Sequence, residues 1–98
     1  MNTTYKDYLE RAKARHGTQF SEDGLDPRFI PYYNNGARIR VETCGMVLTG
    51  TIGVTTGHTP CFLLMRTARS IGSSWTLGPY DTILAVKQGR TYQPVAHV

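Results

Sequence analysis

The first part of the chain carries an apolar pattern with a helical period. Its apolar residues recur at spacings of three and four: Tyr5, Tyr8, Leu9 and Ala12. Thr4 precedes this run as a candidate N-cap, and Gly17 follows it where a helix is expected to end. The pattern predicts an amphipathic helix over residues 5–16.

Residues 17–36 are rich in turn-forming residues and predict an ordered connector. Asp26-Pro27 has the order that opens a short helical turn, and Pro31 with Asn34-Asn35-Gly36 prevents a long helix. Apolar side chains along this stretch would pack it onto the rest of the domain: Phe20, Leu25, Phe29, Ile30, Tyr32 and Tyr33.

From Ala37 onward the apolar period changes to two, which is typical of strands. The predicted strands are one around Ile39 and Val41, followed by residues 46–54, 61–65, 74–77 and 82–87. Cys44-Gly45 is a turn signal, and Gly50 and Gly53 indicate a bulge or bend in the long second strand. Residues 88–98 have little pattern and are expected to fray.

Five short strands, one of them long and bent, predict a mainly β fold of the α+β class. We expect a single domain over residues 1–98, with the N-terminal helix followed by a five-stranded antiparallel SH3-like small barrel at 37–87. The tight turn from Gly78 to Asp81 favours this barrel over an OB-like barrel, which is the alternative.

Two of the predicted strands are apolar on both faces, which is unusual for a small barrel. In residues 61–65, Phe62 and Leu64 alternate with Cys61, Leu63 and Met65, and residues 82–87 show the same property. We therefore expect the outer face to be covered by the N-terminal helix and the aromatic connector, or by a second copy of the chain.

The positive charge of the chain lies in the β region. The formal net charge is +4. Residues 1–28 hold five basic and five acidic side chains, whereas residues 29–98 hold six basic side chains against Glu42 and Asp81.

These basic residues, with the neighbouring aromatic side chains Trp75, Tyr80 and Tyr92, form the one pattern that indicates a binding surface. Strand faces and strand ends could present them as a groove for phosphates with aromatic stacking. The alternative is a solvated rim around a core tryptophan. The candidate partner-binding residues are Arg38, Arg40, Arg66, Arg69, Trp75, Lys87 and Arg90.

Catalytic and metal-binding patterns are weak. His58 with Cys61 and Cys44 lacks the spacing of a zinc site, and a nucleophilic set of Cys61, His58 and Asp81 has no supporting feature. The glycine-rich stretch 50–57 lacks the Gly-Lys-Ser/Thr ending of a phosphate loop. We expect no enzyme, metal or cofactor, and free thiols unless Cys44 and Cys61 face each other as a pair.

Targeting signals are also missing from the pattern. No apolar stretch reaches the length of a membrane span, and the N-terminal residues lack the order of a signal peptide. The expectation is a cytoplasmic protein with no membrane contact.

The stretch 50–65, continued by Gly72-Ser73-Ser74 and Leu84-Ala85-Val86-Lys87, resembles small non-structural proteins encoded by actinobacterial phages. The similarity runs from the N-terminal helix, through residues 25–32, to the last strand. It brings no established activity or catalytic motif with it. The resemblance implies a compact product that acts inside a bacterial host.

The apolar strands and this resemblance together predict a non-enzymatic binding module. Its partner would be a host protein or a second copy of the chain. The alternative is a nucleic-acid-binding barrel that uses the basic rim.

Overall fold

A computed structural model of the chain describes residues 4–66 and 74–95. They form an α+β domain with two short α-helices and a six-stranded antiparallel sheet. The helices are α1 (Tyr5–His16) and α2 (Ile30–Asn35), with 3₁₀ turns at Gly17–Gln19 and Pro27–Phe29. The strands are β1 (Ile39–Thr43), β2 (Met46–Val54), β3 (Phe62–Met65), β4 (Ser74–Thr76), β5 (Thr82–Gln88) and β6 (Thr91–Pro94).

Helix α1 has the predicted bounds, because both of its ends are capped. The Thr4 hydroxyl accepts a hydrogen bond from the backbone N–H of Asp7 at 3.3 Å. Asn34 of α2 accepts the backbone N–H of Tyr5 at 2.6 Å, and Gly17 ends the helix with a φ of 62°. Two free amides of the first turn are thus satisfied, and one of these bonds ties α1 to α2.

The connector is held by a short ion pair. The Asp26 carboxylate accepts the backbone N–H of Arg28 at 3.0 Å and lies 3.0 Å from the Arg28 guanidinium. Arg28 also donates to the carbonyl oxygens of Gly78 and Pro79 in the turn before β5. Partial burial alone would raise the pKa of Asp26, but the hydrogen bonds and charge of Arg28 outweigh it and lower that pKa.

An aromatic cluster joins both helices to the sheet. Phe62 of β3 is fully buried, and the ring centroids of Tyr5, Tyr33 and Phe29 lie 5.8, 6.0 and 6.1 Å from its own. Burial, followed by the neighbouring Tyr33 and Tyr5 side chains, raises the pKa of Tyr8 to about 12. The rest of the core comes from the sheet and the connector: Leu25, Ile39, Val41, Ile52, Leu64, Leu77 and Ile83.

The strand order is β4-β3-β2-β1-β5-β6, and β2 serves both halves of the sheet. Its residues up to Gly50 pair with β1, and those from Thr51 onward pair with β3. At Gly50, where the partner of β2 changes, a Cβ atom would overlap the carbonyl oxygen of Met65 and lie 2.8 Å from its carbonyl carbon. Only glycine allows the two backbones to approach this closely.

The prediction of a five-stranded barrel is not confirmed. The sheet has six strands, and within the residues described it is open, with β4 and β6 as its two edges. Alternation along a sequence indicates strands, but closure of a barrel depends on pairing between distant strands. The same finding applies to the OB-like alternative.

Strand β6 lies in the stretch that was expected to fray. It forms a hairpin with β5, joined by Gly89, with a φ of 64°, and Arg90. Val95 donates its N–H to the Leu84 carbonyl, so the backbone position of Pro94 faces away from β5. A proline at this position therefore removes no hydrogen bond from the sheet. Because proline has no N–H, the open edge of β6 exposes one donor fewer. Residues 96–98 lie outside the described part of the chain.

A β-bulge accounts for much of the two-sided apolar pattern of β5. Val41 pairs with Ile83, but Arg40 pairs with Ala85, so β5 carries one extra residue, Leu84. After this shift Val86 lies opposite Ile39, which is fully buried. Side chains on both sides of the bulge therefore face the core.

In β3 the helices and the connector cover the face of Phe62 and Leu64. Tyr5 and Tyr33 contact Phe62, whereas Leu63 and Met65 on the opposite face stay half-buried. The predicted covering by the helix and the connector thus lies on one face of the strand. No second copy is needed to bury Phe62.

Candidate nucleic-acid interface

The pairing of β1 with β5 brings basic side chains together at one end of the sheet. Arg38 precedes β1, and its carbonyl oxygen accepts the backbone N–H of Lys87 at 2.8 Å. Because side chains alternate along a strand, Arg38 and Arg40 point to the same outer face. Lys87 and Arg38 are neighbours here although they are far apart in the sequence.

The Arg40 side chain crosses β5 and lies on an aromatic ring of β6. Its guanidinium carbon is 4.3 Å from the centroid of the Tyr92 ring, a cation–π distance. Tyr92 pairs with Lys87, and Arg40 pairs with Ala85. The small side chain of Ala85 leaves space for the arginine to reach β6, and the bulge in β5 places Ala85 on this face.

Arg66 and Arg90 extend the same region. The Arg38 guanidinium donates to the Arg66 carbonyl oxygen at 3.2 Å, so the end of β3 adjoins the start of β1. Arg90 lies in the turn between β5 and β6, and Arg66, Lys87 and Arg90 are exposed. We use the name basic face for the outer face around Arg38, Arg40, Lys87 and Tyr92, together with Arg66 and Arg90, whose backbones lie at its margins.

Carboxylates do not neutralise this surface. In the described ranges 4–66 and 74–95, the ion pairs are Lys13 with Glu22 and Arg28 with Asp26, and neither involves the basic face. Glu42 follows Arg40 on the outer face but pairs with Val47 and Thr82, toward the other end of β1. The basic face is therefore an uncompensated cationic surface, which attracts polyanions.

Two of the seven predicted binding residues are not placed on this surface. The Trp75 indole N–H donates to the Thr43 hydroxyl at 3.2 Å, at the opposite end of β1. Thr43 is 3% exposed and Trp75 is 37% exposed, so the tryptophan is an exposed side chain that is anchored by its indole N–H. Arg69 lies outside the described residues.

The weaker chemical patterns are not assembled into a site. No group of three or more His, Cys, Asp or Glu residues within 4–66 and 74–95 could hold a metal ion. The Asp81 carboxylate accepts the Gly78 N–H at 2.8 Å within its own turn, and both Cys44 and Cys61 are free thiols. Asp81 is therefore a turn-forming residue.

The basic residues of this surface can be identified from the sequence, but the contacts that bring them together cannot. The sequence shows Tyr92 as an aromatic neighbour of the basic residues, but its place under Arg40 depends on β6, which the alternation does not reveal. The signal that could have revealed it is Gly89-Arg90 after an apolar strand, since glycine at the first turn position is typical of tight hairpins.

Neither helix among the described residues is long and apolar enough to cross a membrane. No protein-family model matches the chain, and no curated protein or solved structure matches it at a significant level.

Proposed function

We propose that the protein is a non-enzymatic binding module whose basic face contacts the phosphate backbone of a nucleic acid. The observation that carries this proposal is the gathering of Arg38, Arg40, Arg66, Lys87 and Arg90 in one region without a paired carboxylate. Arginine and lysine side chains that neutralise phosphates release counterions, and this release drives sequence-independent binding.

The basic face favours single strands over duplexes. The Tyr92 ring lies beneath the Arg40 guanidinium, and single strands bind by combining cationic contacts with stacking of bases on aromatic rings and arginine guanidinium planes. Major-groove reading instead requires a helix or a two-stranded ribbon that enters the groove.

Fluorescence anisotropy of a labelled single-stranded oligonucleotide, measured over a range of salt concentrations, tests this proposal. If four to five phosphates are contacted, the logarithm of the affinity should fall with the logarithm of salt with a slope of about −3, since each contact contributes about −0.7. The Arg38→Ala, Arg40→Ala double variant should lower the slope by about 1.4. Lys6→Ala, an exposed change on α1, is the matched control.

The absence of binding at low salt would reject the proposal. A slope that the double variant leaves unchanged would place the contact elsewhere on the molecule.

A second candidate, contact with a protein, is favoured by an exposed apolar rim at the other end of β1. Met46 pairs with Thr43, whose hydroxyl also binds Trp75, and Val47 follows on β2. Tyr80, which is 96% exposed, lies in the turn before β5. Exposed apolar side chains that lie together are typical of contact surfaces.

We propose self-association as the form of this contact that can be tested directly. Sedimentation should show dimers of the wild type and monomers of Val47→Asp, and a wild type that is monomeric at high concentration would reject it. We infer from the resemblance to phage proteins that either proposed activity takes place in the cytoplasm of a bacterial host.

A further inference from the structure

A groove that shares no residue with the basic face runs between α1 and the second half of β2. Its volume is about 950 Å³, near the upper end of the range for ligand sites. Helix α1 supplies one wall, and Ile52 to Gly57 supply the other, with Tyr33 and Met65 completing the lining. None of the described residues that line it is acidic.

The backbone of β2 presents an unpaired edge at this groove. Pairing with β1 ends at Gly50, whereas β2 continues to Val54 and pairs there only with β3. The chain before β1 is helical rather than extended: it forms α2, which contacts β2 and ends at the left-handed Gly36, so no strand continues beside β2.

The hydrogen-bond pattern determines which groups of β2 are free. Thr55 donates its N–H to the Cys61 carbonyl, and this sets the alternation in which Gly53 bonds toward β3. The N–H and C=O groups of Ile52 and Val54 therefore point to the other side. They have no hydrogen-bond partner in the described part of the chain.

The side chains around this edge combine positive charge with apolar surface. Arg11 and Arg15 are one helical turn apart on α1, are exposed, and both line the groove. Burial raises the pKa of Tyr33, and the charge of Arg11 opposes that rise. Gly53 has no side chain, and Met65 lies across it.

We propose that this groove binds an extended, acidic segment of a partner protein, which adds a strand to β2 beside Ile52 and Val54. The free N–H and C=O groups of β2 would give the main-chain hydrogen bonds of strand addition. Alternate carboxylates of the segment would lie beside Arg11 and Arg15, and the apolar residues between them would contact Met65 over Gly53.

A peptide fits this groove better than a nucleic acid does. Both ligands carry negative charge, but only a peptide repeats N–H and C=O groups at the spacing of an unpaired strand. The inference therefore goes beyond the proposed contact of the basic face with nucleic acid, and its failure would leave that contact standing.

The probe for the test is a fluorescein-labelled six-residue peptide of alternating glutamate and valine with blocked ends. Anisotropy should show saturable binding at protein concentrations up to about 1 mM. The Arg11→Glu, Arg15→Glu double variant should bind about tenfold more weakly, because each exposed ion pair contributes modestly. Lys6→Glu, an exposed change on α1 outside the groove, should bind like the wild type.

Three further peptides separate strand addition from simple charge attraction. N-methylation of every second amide keeps the charge of the peptide but removes half of its N–H donors. There are two such peptides, one for each set of alternate amides, and the peptide whose methyl groups face β2 should not bind. A peptide with lysine in place of glutamate should not bind. Amide NMR signals of Ile52 and Val54 should shift on binding the original peptide.

Several outcomes would overturn the inference. They are the absence of saturable binding, equal binding of both N-methylated peptides and the parent peptide, and NMR shifts confined to the basic face. Dimers of the wild type that dissociate in the Arg11→Glu, Arg15→Glu variant would assign the groove to a second copy instead. Circular dichroism confirms that each variant is folded before binding is measured.

Discussion

The two strand glycines of β2 provide a sharp test of the packing, because they differ in what a methyl group would meet. At Gly50 an added Cβ would overlap the backbone carbonyl of Met65. At Gly53 the nearest atoms are the Cε and Sδ of the Met65 side chain, both at 3.0 Å. A methionine side chain can move aside, whereas a backbone in a sheet cannot move without loss of pairing.

The expected size of the effect follows from these contacts. Overpacking at Gly50→Ala should cost about 1–3 kcal/mol, and disturbing the adjacent bond between β2 and β3 should add about 1 kcal/mol. The loss of backbone freedom in the unfolded chain returns about 0.4–1 kcal/mol. We therefore expect Gly50→Ala to lower the free energy of unfolding by about 2 kcal/mol.

Urea denaturation followed by circular dichroism measures this difference, and thermal denaturation should show a midpoint lower by about 8–16 °C. Gly53→Ala is the matched control and should lie within about 0.5 kcal/mol of the wild type. A Gly50→Ala variant as stable as the wild type would refute the close approach of β2 and β3. Equal losses in both variants would show that glycine is needed for another reason.

Three further changes test the hydrogen bonds and ionisation of the core. Trp75→Phe leaves the buried Thr43 hydroxyl without its donor and should lower the free energy of unfolding by about 1–3 kcal/mol, measured in urea. The pKa of Asp26 in the folded state lies below its ordinary value of 3.8, because the effect of Arg28 outweighs that of burial. The ionised carboxylate therefore stabilises the fold above pH 3.8, and this stabilisation is lost as the pH falls through the folded pKa. Asp26→Asn should therefore reduce the loss of stability on acidification, measured from about pH 5 to about pH 2. The pKa of Tyr8 is raised from 10.0 to about 12, so stabilisation present below pH 10.0 is lost as the pH rises through about 12, and Tyr8→Phe should reduce that alkaline loss.

Matched variants decide each of these tests. Tyr80→Phe changes an exposed ring, is the matched control for the two aromatic variants, and should leave the urea midpoint unchanged. Asp23→Asn removes an exposed carboxylate and is the matched control for Asp26→Asn. A Trp75→Phe variant with the same free energy of unfolding as the wild type would show that the indole hydrogen bond contributes no stability. An Asp26→Asn variant that loses as much stability in acid as the wild type would show that the pair with Arg28 does not lower the pKa of Asp26.

The sequence predicts those parts of the fold that depend on residues close together along the chain. The caps at Thr4 and Gly17 gave the bounds of α1, and the turn at Cys44-Gly45 joins β1 to β2 with φ values of 51° and 78°. Each of these features depends on residues that are close together along the chain.

The parts that the sequence did not reveal depend on pairing between distant strands. The bulge at Leu84 cannot be read from alternation, because only the partner strand β1 shows which residue is extra. The open sheet was missed for the same reason. In the candidate site, the basic residues were identifiable, but their grouping depends on the contact between Arg38 and Lys87.

The groove beside α1 was not anticipated at all. Its signals were present as Arg11 and Arg15 on one helical face and as Gly53 within an apolar strand. They indicate a groove only together with the end of the pairing between β1 and β2 at Gly50, which the sequence does not show.

The pairing of β1 with β5 has a consequence for how the chain folds. Ile39 and Val86 meet although almost half of the chain separates them, whereas β1 with β2 and β5 with β6 are local hairpins. Closing so long a loop costs entropy before any contact is gained, so the central ladder should form late and limit the folding rate. The basic face spans that ladder, and an incompletely folded chain would therefore carry all of its cations without yet presenting them as one surface.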